Sequence, residues 1–311
     1  QPLDGEYFVF VVTDRATQTA PMGAVFEGAG ESNNIRASAA PVRFTQAPPA
    51  DLVTSDVSVS GDLTVGQEIT ITWRVTNQGT APATGQWSDA VFLSTDAQWD
   101  LGDRLVGQVT HDGPLAPGES YVGTLTTRVP VAAEGTYRFI VRADTRNQVF
   151  EDGQTANNVA PTLNTVFVVT PDLQLGVARP LTLAAGQEVL YRVEVPPGET
   201  LRSRIAASMP DAQLELFVRR GDVPTATRFD AIYDSALGPL QTATIGSTEA
   251  GFYYVLARNA GTQTVSASLI SEILPFQLID VRQDRVGDGR YVTAVVEGAS
   301  FTPDTVLRLT R

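Results

Sequence analysis

The chain has no cysteine, no lysine and one histidine, His111, among its 311 residues. Without Cys, no disulfide can cross a sandwich or staple a loop. Without Lys, the Lys-to-Asn isopeptide crosslinks that staple some surface pilins cannot form. The positive charge rests entirely on 22 Arg against 35 Asp and Glu, a net charge of −13. That balance disfavours nucleic acid, whose phosphates need clustered cations. No apolar run reaches the roughly 18 residues of a membrane span. No starting Met and no basic segment followed by an apolar one marks a signal peptide. Nor is there an amphipathic helical stretch of useful length. A nucleophilic triad needs a base, and His111, in VTHDGPLAP, reads as a solvent-facing residue between a strand and a turn. Glycoside hydrolysis would need paired carboxylates, and no pair stands on a strand end beside an aromatic cleft. The expectation is a protein without catalytic activity.

What is present is a β rhythm. Short apolar runs, about 8 to 12 residues apart and separated by Gly- and Pro-containing turns, imply an all-β chain of antiparallel sandwiches. Over it lies a repeat: DGEYFVFVVTD (4 to 14) and VFEGAGESNN (25 to 34) parallel EGTYRFIVRAD (134 to 144) and VFEDGQTANN (149 to 158). The copies differ mainly by a longer loop in the first, RATQTAPMGA against TRNQ. Indels belong in surface loops, and self-similarity on this scale marks tandem domains.

Four segments follow. Residues 1–46 carry only the closing strands of a domain. After the linker QAPPA, residues 51–170 form a complete unit. Within it EITITWRVTN (68 to 77), SDAVFLS (88 to 94), RLVGQVT (104 to 110), SYVGTLTTRV (120 to 129) and TYRFIVRAD (136 to 144) alternate as strands. With the first and last strands this makes about seven, an immunoglobulin-type sandwich. The order DL, VGQEITITWRVTNQGTAPA, VFLSTDAQWDLGDRLVG, LAPGESY, GTYRFIVRAD, VFEDGQTANN resembles the CARDB domain, the bacterial cell-adhesion-related domain. That resemblance implies a sandwich repeated in secreted or surface proteins, with residues 1–46 as the last third of a preceding copy. In residues 171–272, EVLYRVEVPPGETLRSRI, DAQLELFVRRGDVPTATRFD and GFYYVLARN resemble the bacterial pre-peptidase C-terminal domain, a small β-sandwich. Residues 273–311 include GDGRYVTAVVEGASFTPDTVLRLT, which resembles the opening of an IPT/TIG-type immunoglobulin-like repeat. Its GDG at 287 to 289 is a hairpin signal, and with no helix after it, nucleotide binding has no support.

Two carboxylate clusters are candidate calcium sites. STDAQWDLGD places Asp96, Asp100 and Asp103 in one loop, and converging hard oxygens suit Ca²⁺, although the spacing is not an EF-hand's. The repeated loop offers Asp144, Glu151, Asp152, Asn157 and Asn158, with Asp14, Glu27, Glu31, Asn33 and Asn34 in the first copy. The competing reading is structural, since Asp and Asn cap turns through their own backbone. Trp73 alternates with Ile69, Ile71 and Val75 and reads as a core anchor, which leaves Trp87 and Trp99 as the residues able to offer a sugar platform.

The function expected is structural or adhesive: part of a large bacterial protein, secreted or at the cell surface. Its partners are other domains of the same long chain and, in one arrangement, a second copy joined head to tail by strands such as YVTAVVEG (291 to 298), which would propagate a filament. An accessory region of a secreted peptidase or other hydrolase, and a carbohydrate-binding module, are the alternatives.

Overall fold

The computed structural model describes residues 4–14, 25, 28, 33–282, 295–302 and 304–308. Glu27, Glu31, the 15–24 loop, the GDG turn and residues 291–294 lie outside the described residues. Four short strands open the chain: β1 (Gly5–Tyr7), β2 (Phe10–Val12), β3 (Ile35–Ala37) and β4 (Val42–Phe44). They pair antiparallel as β1 with β4 and β2 with β3.

The first complete sandwich follows, in strands β5 (Leu52–Gly61), β6 (Glu68–Asn77), β7 (Gln86–Ser94), β8 (Arg104–Asp112), β9 (Ser120–Arg128), β10 (Gly135–Arg142), β11 (Val159–Pro161) and β12 (Val166–Val168). One sheet runs β5-β6-β9; the other runs β11-β10-β7-β8, with β12 also on β10. The alternation read from the sequence sets the facing: Ile69, Ile71, Trp73 and Val75 point inward along β6, against Val91 and Leu93 of β7 and Phe139 and Val141 of β10. The short β11, after a single 3₁₀ turn at Ala156–Asn158, brings the strand count to eight rather than about seven. It covers one end of the β10 edge.

Trp73 is 1% exposed, as an anchor should be, and its ring lies flat against β9 because position 123 is Gly. A Cβ there would sit 2.2 Å from Trp73 Cε2.

The second sandwich is built from β13 (Arg179–Leu183), β14 (Glu188–Val195), β15 (Thr200–Ala207), β16 (Leu214–Arg220), β17 (Ala231–Ile232), β18 (Leu240–Ile245), β19 (Gly251–Asn259) and β20 (Val265–Leu274). Its sheets run β13-β20-β15-β18 and β14-β19-β16-β17. The second sheet is covered on both faces. Tyr253, Val255 and Ala257 of β19 enter this sandwich's own core, whereas Tyr254 and Leu256, with Leu190 of β14 and Phe217 of β16, join the apolar cluster of the first sandwich. That is why FYYVLA runs apolar without a break: a strand buried on both sides has no polar face to show. A final hairpin, β21 (Gln277–Arg282) with β22 (Val295–Ala299), closes the described chain.

Polar contacts rim the seam between the sandwiches. Arg192 of β14 pairs with Glu134 and, at 2.6 Å, with Asp172, and its guanidinium lies 4.5 Å from the centre of the Phe252 ring. The Glu134 amide donates to the Tyr254 hydroxyl at 3.2 Å, and Arg104 of β8 reaches Glu188 of β14 at 3.1 Å.

Two substitutions test this packing. Gly123→Ala is expected to cost about 1–3 kcal/mol, the usual range for overpacking, read as a lowered midpoint in chemical denaturation. Arg192→Ala leaves the largely buried Glu134 carboxylate without its partner. It is expected to cost about 2 kcal/mol and to broaden the distribution of distances between the sandwiches in small-angle scattering, whereas unchanged scattering would show that the apolar seam alone fixes their orientation.

Candidate functional site

A buried polar cluster lies inside the first sandwich. Asp89 of β7 is 1% exposed. Its Oδ2 accepts from Trp73 Nε1 at 2.8 Å and from the Tyr121 hydroxyl at 2.7 Å, and its Oδ1 accepts from the Asp144 amide at 3.2 Å. The Tyr121 oxygen in turn accepts from Trp87 Nε1 at 3.0 Å. Burial pushes the Asp89 carboxyl above its ordinary range, against the pull of these donors, and the same burial pushes the Tyr121 hydroxyl up. His111 is corrected here. It lies within β8 rather than in an exposed loop, stacked on the Tyr121 ring at 3.8 Å and tilted against Trp87 at 4.7 Å, and burial lowers its pKa. Trp87 is corrected with it: wholly buried, it offers no platform to a sugar. Trp99 is half-buried, set edge-on to Phe92 at 5.7 Å and capped by the Arg142 guanidinium at 4.5 Å.

The repeated acidic loop joins β10 to β11 and packs against the start of β5. Asp144 adopts a left-handed φ of 42°, which Asp tolerates in turns, and its carboxylate accepts the Gln148 and Val149 amides at 2.8 Å each. Glu151 is 2% exposed. Its Oε1 accepts from the Leu52 amide at 2.6 Å and its Oε2 from Asn158 Nδ2 at 2.7 Å. Asn157 Nδ2 donates to Asp51 Oδ1 at 2.7 Å, and Asp152 accepts from Gln46 Nε2 at 2.9 Å. The loop thus clamps the first strand of the sandwich to its closing hairpin. Desolvation raises the Glu151 pKa, and the nearby Asp144 and Asp51 charges raise it further against two donated hydrogen bonds.

In the other loop, Asp96, Asp100 and Asp103 each turn onto their own backbone, accepting from the Gln98, Gly102 and Asp100 amides. They share a cleft of about 370 Å³ with Arg104, Tyr137 and Asp222. Among the described residues no three acidic or imidazole side chains form a group able to hold a metal. In the 96–103 loop and at Asp144 the carboxylates cap their own turns, whereas Glu151 reaches across to Leu52 and Asn158. Sequence reasoning grouped Asp144, Glu151 and Asn158 but missed Asp51, which lies 106 positions from its partner Asn157.

The comparisons with known proteins bear on these segments. Residues 49–162 match the CARDB family model, close to the 51–170 unit read from the sequence, and CARDB domains are typical of extracellular or surface proteins. No curated protein matches the chain. Among solved structures, the chain is similar to the CARDB domain of a Pyrococcus furiosus protein in complex with di-metal ions, at 24% identity over 39% of this chain and 90% of that one, with a TM-score of 0.30. It is also similar to the pre-peptidase C-terminal domain of a Bacillus anthracis collagenase, at 12% identity over 32% of this chain and 92% of that one, with a TM-score of 0.28. A third similarity, to β-glucosidase 3B of Thermotoga neapolitana, has 21% identity, a TM-score of 0.26 and covers 38% of this chain but 16% of the enzyme.

A carboxyl whose pKa rises on folding stabilises the fold when protonated, fully below its unfolded pKa, and loses that contribution as pH climbs through the folded value. For Glu151 the loss begins above its ordinary value of 4.5. Melting temperature is therefore expected to drop more steeply between that pH and neutrality in the native chain than in Glu151→Gln. Parallel pH curves for the two proteins would refute the assignment.

Proposed function

We propose that the chain is a non-catalytic structural segment of a bacterial cell-surface or secreted protein, in which β-sandwich domains follow one another and space or display what the rest of the polypeptide carries. The observation that supports this most strongly is register. Tyr7 faces Val42 as Tyr137 faces Val166, and Val11 faces Arg36 as Val141 faces Ala160. Asp14 repeats the left-handed φ of Asp144, at 45°, and accepts from the Val25 amide as Asp144 accepts from Val149. Residues 4–44 thus repeat the closing hairpin of the first sandwich pair by pair, the mark of a second domain of the same kind. The environments differ: Phe10 and Val11 are 63% and 61% exposed, whereas their counterparts Ile140 and Val141 are fully buried. In this reading, residues 273–311 belong to a further immunoglobulin-like module.

A shared apolar seam between consecutive sandwiches suits such a role, because it transmits orientation along the chain. The experiment is to raise antibodies against residues 51–272 and label intact cells of the source bacterium. Labelling of unpermeabilised cells or of the culture medium, abolished by deletion of the gene, is expected. Signal that appears only after permeabilisation would overturn the reading.

A further inference from the structure

The loop that clamps β5 to the closing hairpin leaves oxygens without partners. Asn158 is 1% exposed; its Nδ2 donates to Glu151 Oε2, but the Oδ1 of the same carboxamide is buried and bonded to nothing. Asn157 repeats the pattern one position earlier: its Nδ2 donates to Asp51 Oδ1, and its buried Oδ1 has no partner. Two adjacent carboxamides therefore spend their donors on carboxylates and hold their acceptors idle. A buried acceptor without a partner costs free energy, and the groups beside it make the imbalance worse. Glu151 is buried with the Asp51 and Asp144 charges close enough to act on it, and no ion pair to any of the three exists among the described residues. The loop carries one cation, Arg146, and it forms no ion pair with these carboxylates among the described residues.

We propose that this clamp between the loop and β5 is a calcium site, in which the Asn157 and Asn158 amide oxygens and the Asp51 and Glu151 carboxylates supply the protein's oxygens. The donor set is hard, all oxygen, and mixed between two charged and two neutral ligands, which suits Ca²⁺ with its irregular, expandable coordination better than Mg²⁺, which demands an octahedron. Asp144 is left out because both its oxygens hold backbone amides of its own turn, whereas Glu151 gives one oxygen to the Leu52 amide and the other to the Asn158 side chain, whose carboxamide can turn to share it with an ion. Asp51 and Asn157, only partly buried, form the open end through which an ion enters and keeps water. The site also lies at the entrance of the sandwich: Ala50 donates to the Phe150 carbonyl, and the Pro49 carbonyl accepts from Thr80 and Ala81. A bound ion would fix the linker that joins this domain to the hairpin before it.

The test uses the whole chain stripped with chelator, titrated with CaCl₂ and with MgCl₂ by calorimetry while melting is followed in parallel. One calcium per chain is expected, with melting temperature rising as calcium is added and falling in EDTA. Asp51→Asn and Glu151→Gln are each expected to weaken calcium binding roughly tenfold or more, while Asp100→Asn, in the other acidic loop, binds as before. Asp51 lies near the surface, so Asp51→Asn decides the matter even if Glu151→Gln folds poorly. Absence of heat and of any melting shift at millimolar calcium would overturn the proposal and leave a buried water as the partner of Asn158 Oδ1. A calcium effect that survives Asp51→Asn, or that vanishes in Asp100→Asn, would overturn it equally.

Discussion

Much of the first sandwich depends on one buried carboxylate. Asp89 stands on the five-stranded sheet, and its two oxygens hold Trp73 and Tyr121 of the opposite sheet together with the amide of Asp144 at the start of the closing loop. A cysteine-containing sandwich of this kind can cross its core with a disulfide beside a Trp. Here the Trp remains, and a charge-assisted hydrogen-bond fan does the crossing. The arrangement is specific where apolar packing is not: it fixes the height of Trp73 over Gly123, the tilt of Tyr121 that carries His111, and the point at which β10 turns into its loop. Its cost is a desolvated carboxyl with a raised pKa, offset by three donors aimed at it.

The second constraint is the sheet β14-β19-β16-β17, whose two faces belong to different cores. Tyr253 and Val255 look into one sandwich and Tyr254 and Leu256 into the cluster of the other. Because neighbouring residues of one strand serve both, the sandwiches cannot rotate against each other without exposing the apolar groups of the seam. Arg192, held by Glu134 and Asp172 over the Phe252 ring, supplies direction at the rim. A structural segment needs this property, since a string of sandwiches on loose linkers would not hold a defined spacing.

Large parts of this were legible in the residues. The period-two alternation of EITITWRVTN gave β6 with its bounds, and the CARDB-like motif order lies over the stretch that the family model matches, residues 49–162. The internal repeat anticipated matching strand pairs, and the register of β1 with β4 and β2 with β3 agrees with that of β10 with β12 and β11. Those features are local: side-chain period, turn residues and spacing are written along the chain.

What failed was whatever depended on which side of a strand meets what. His111 and Trp87 read as exposed because nothing near them in the sequence announces Tyr121, the ring that stacks on one and accepts from the other. The partners of Asp144 and Glu151 were not legible either, because the Val149 and Leu52 amides are backbone groups without a sequence signature, one of them 99 positions away. The sequence by itself determined the all-β class and the positions of the strands, because these follow from short-range periodicity. The tertiary structure alone decided which polar groups are buried, which carboxylates are spoken for, and that Asp51 and Asn157 meet, because hydrogen bonding inside a sandwich joins strands that the chain brings together only after it has folded.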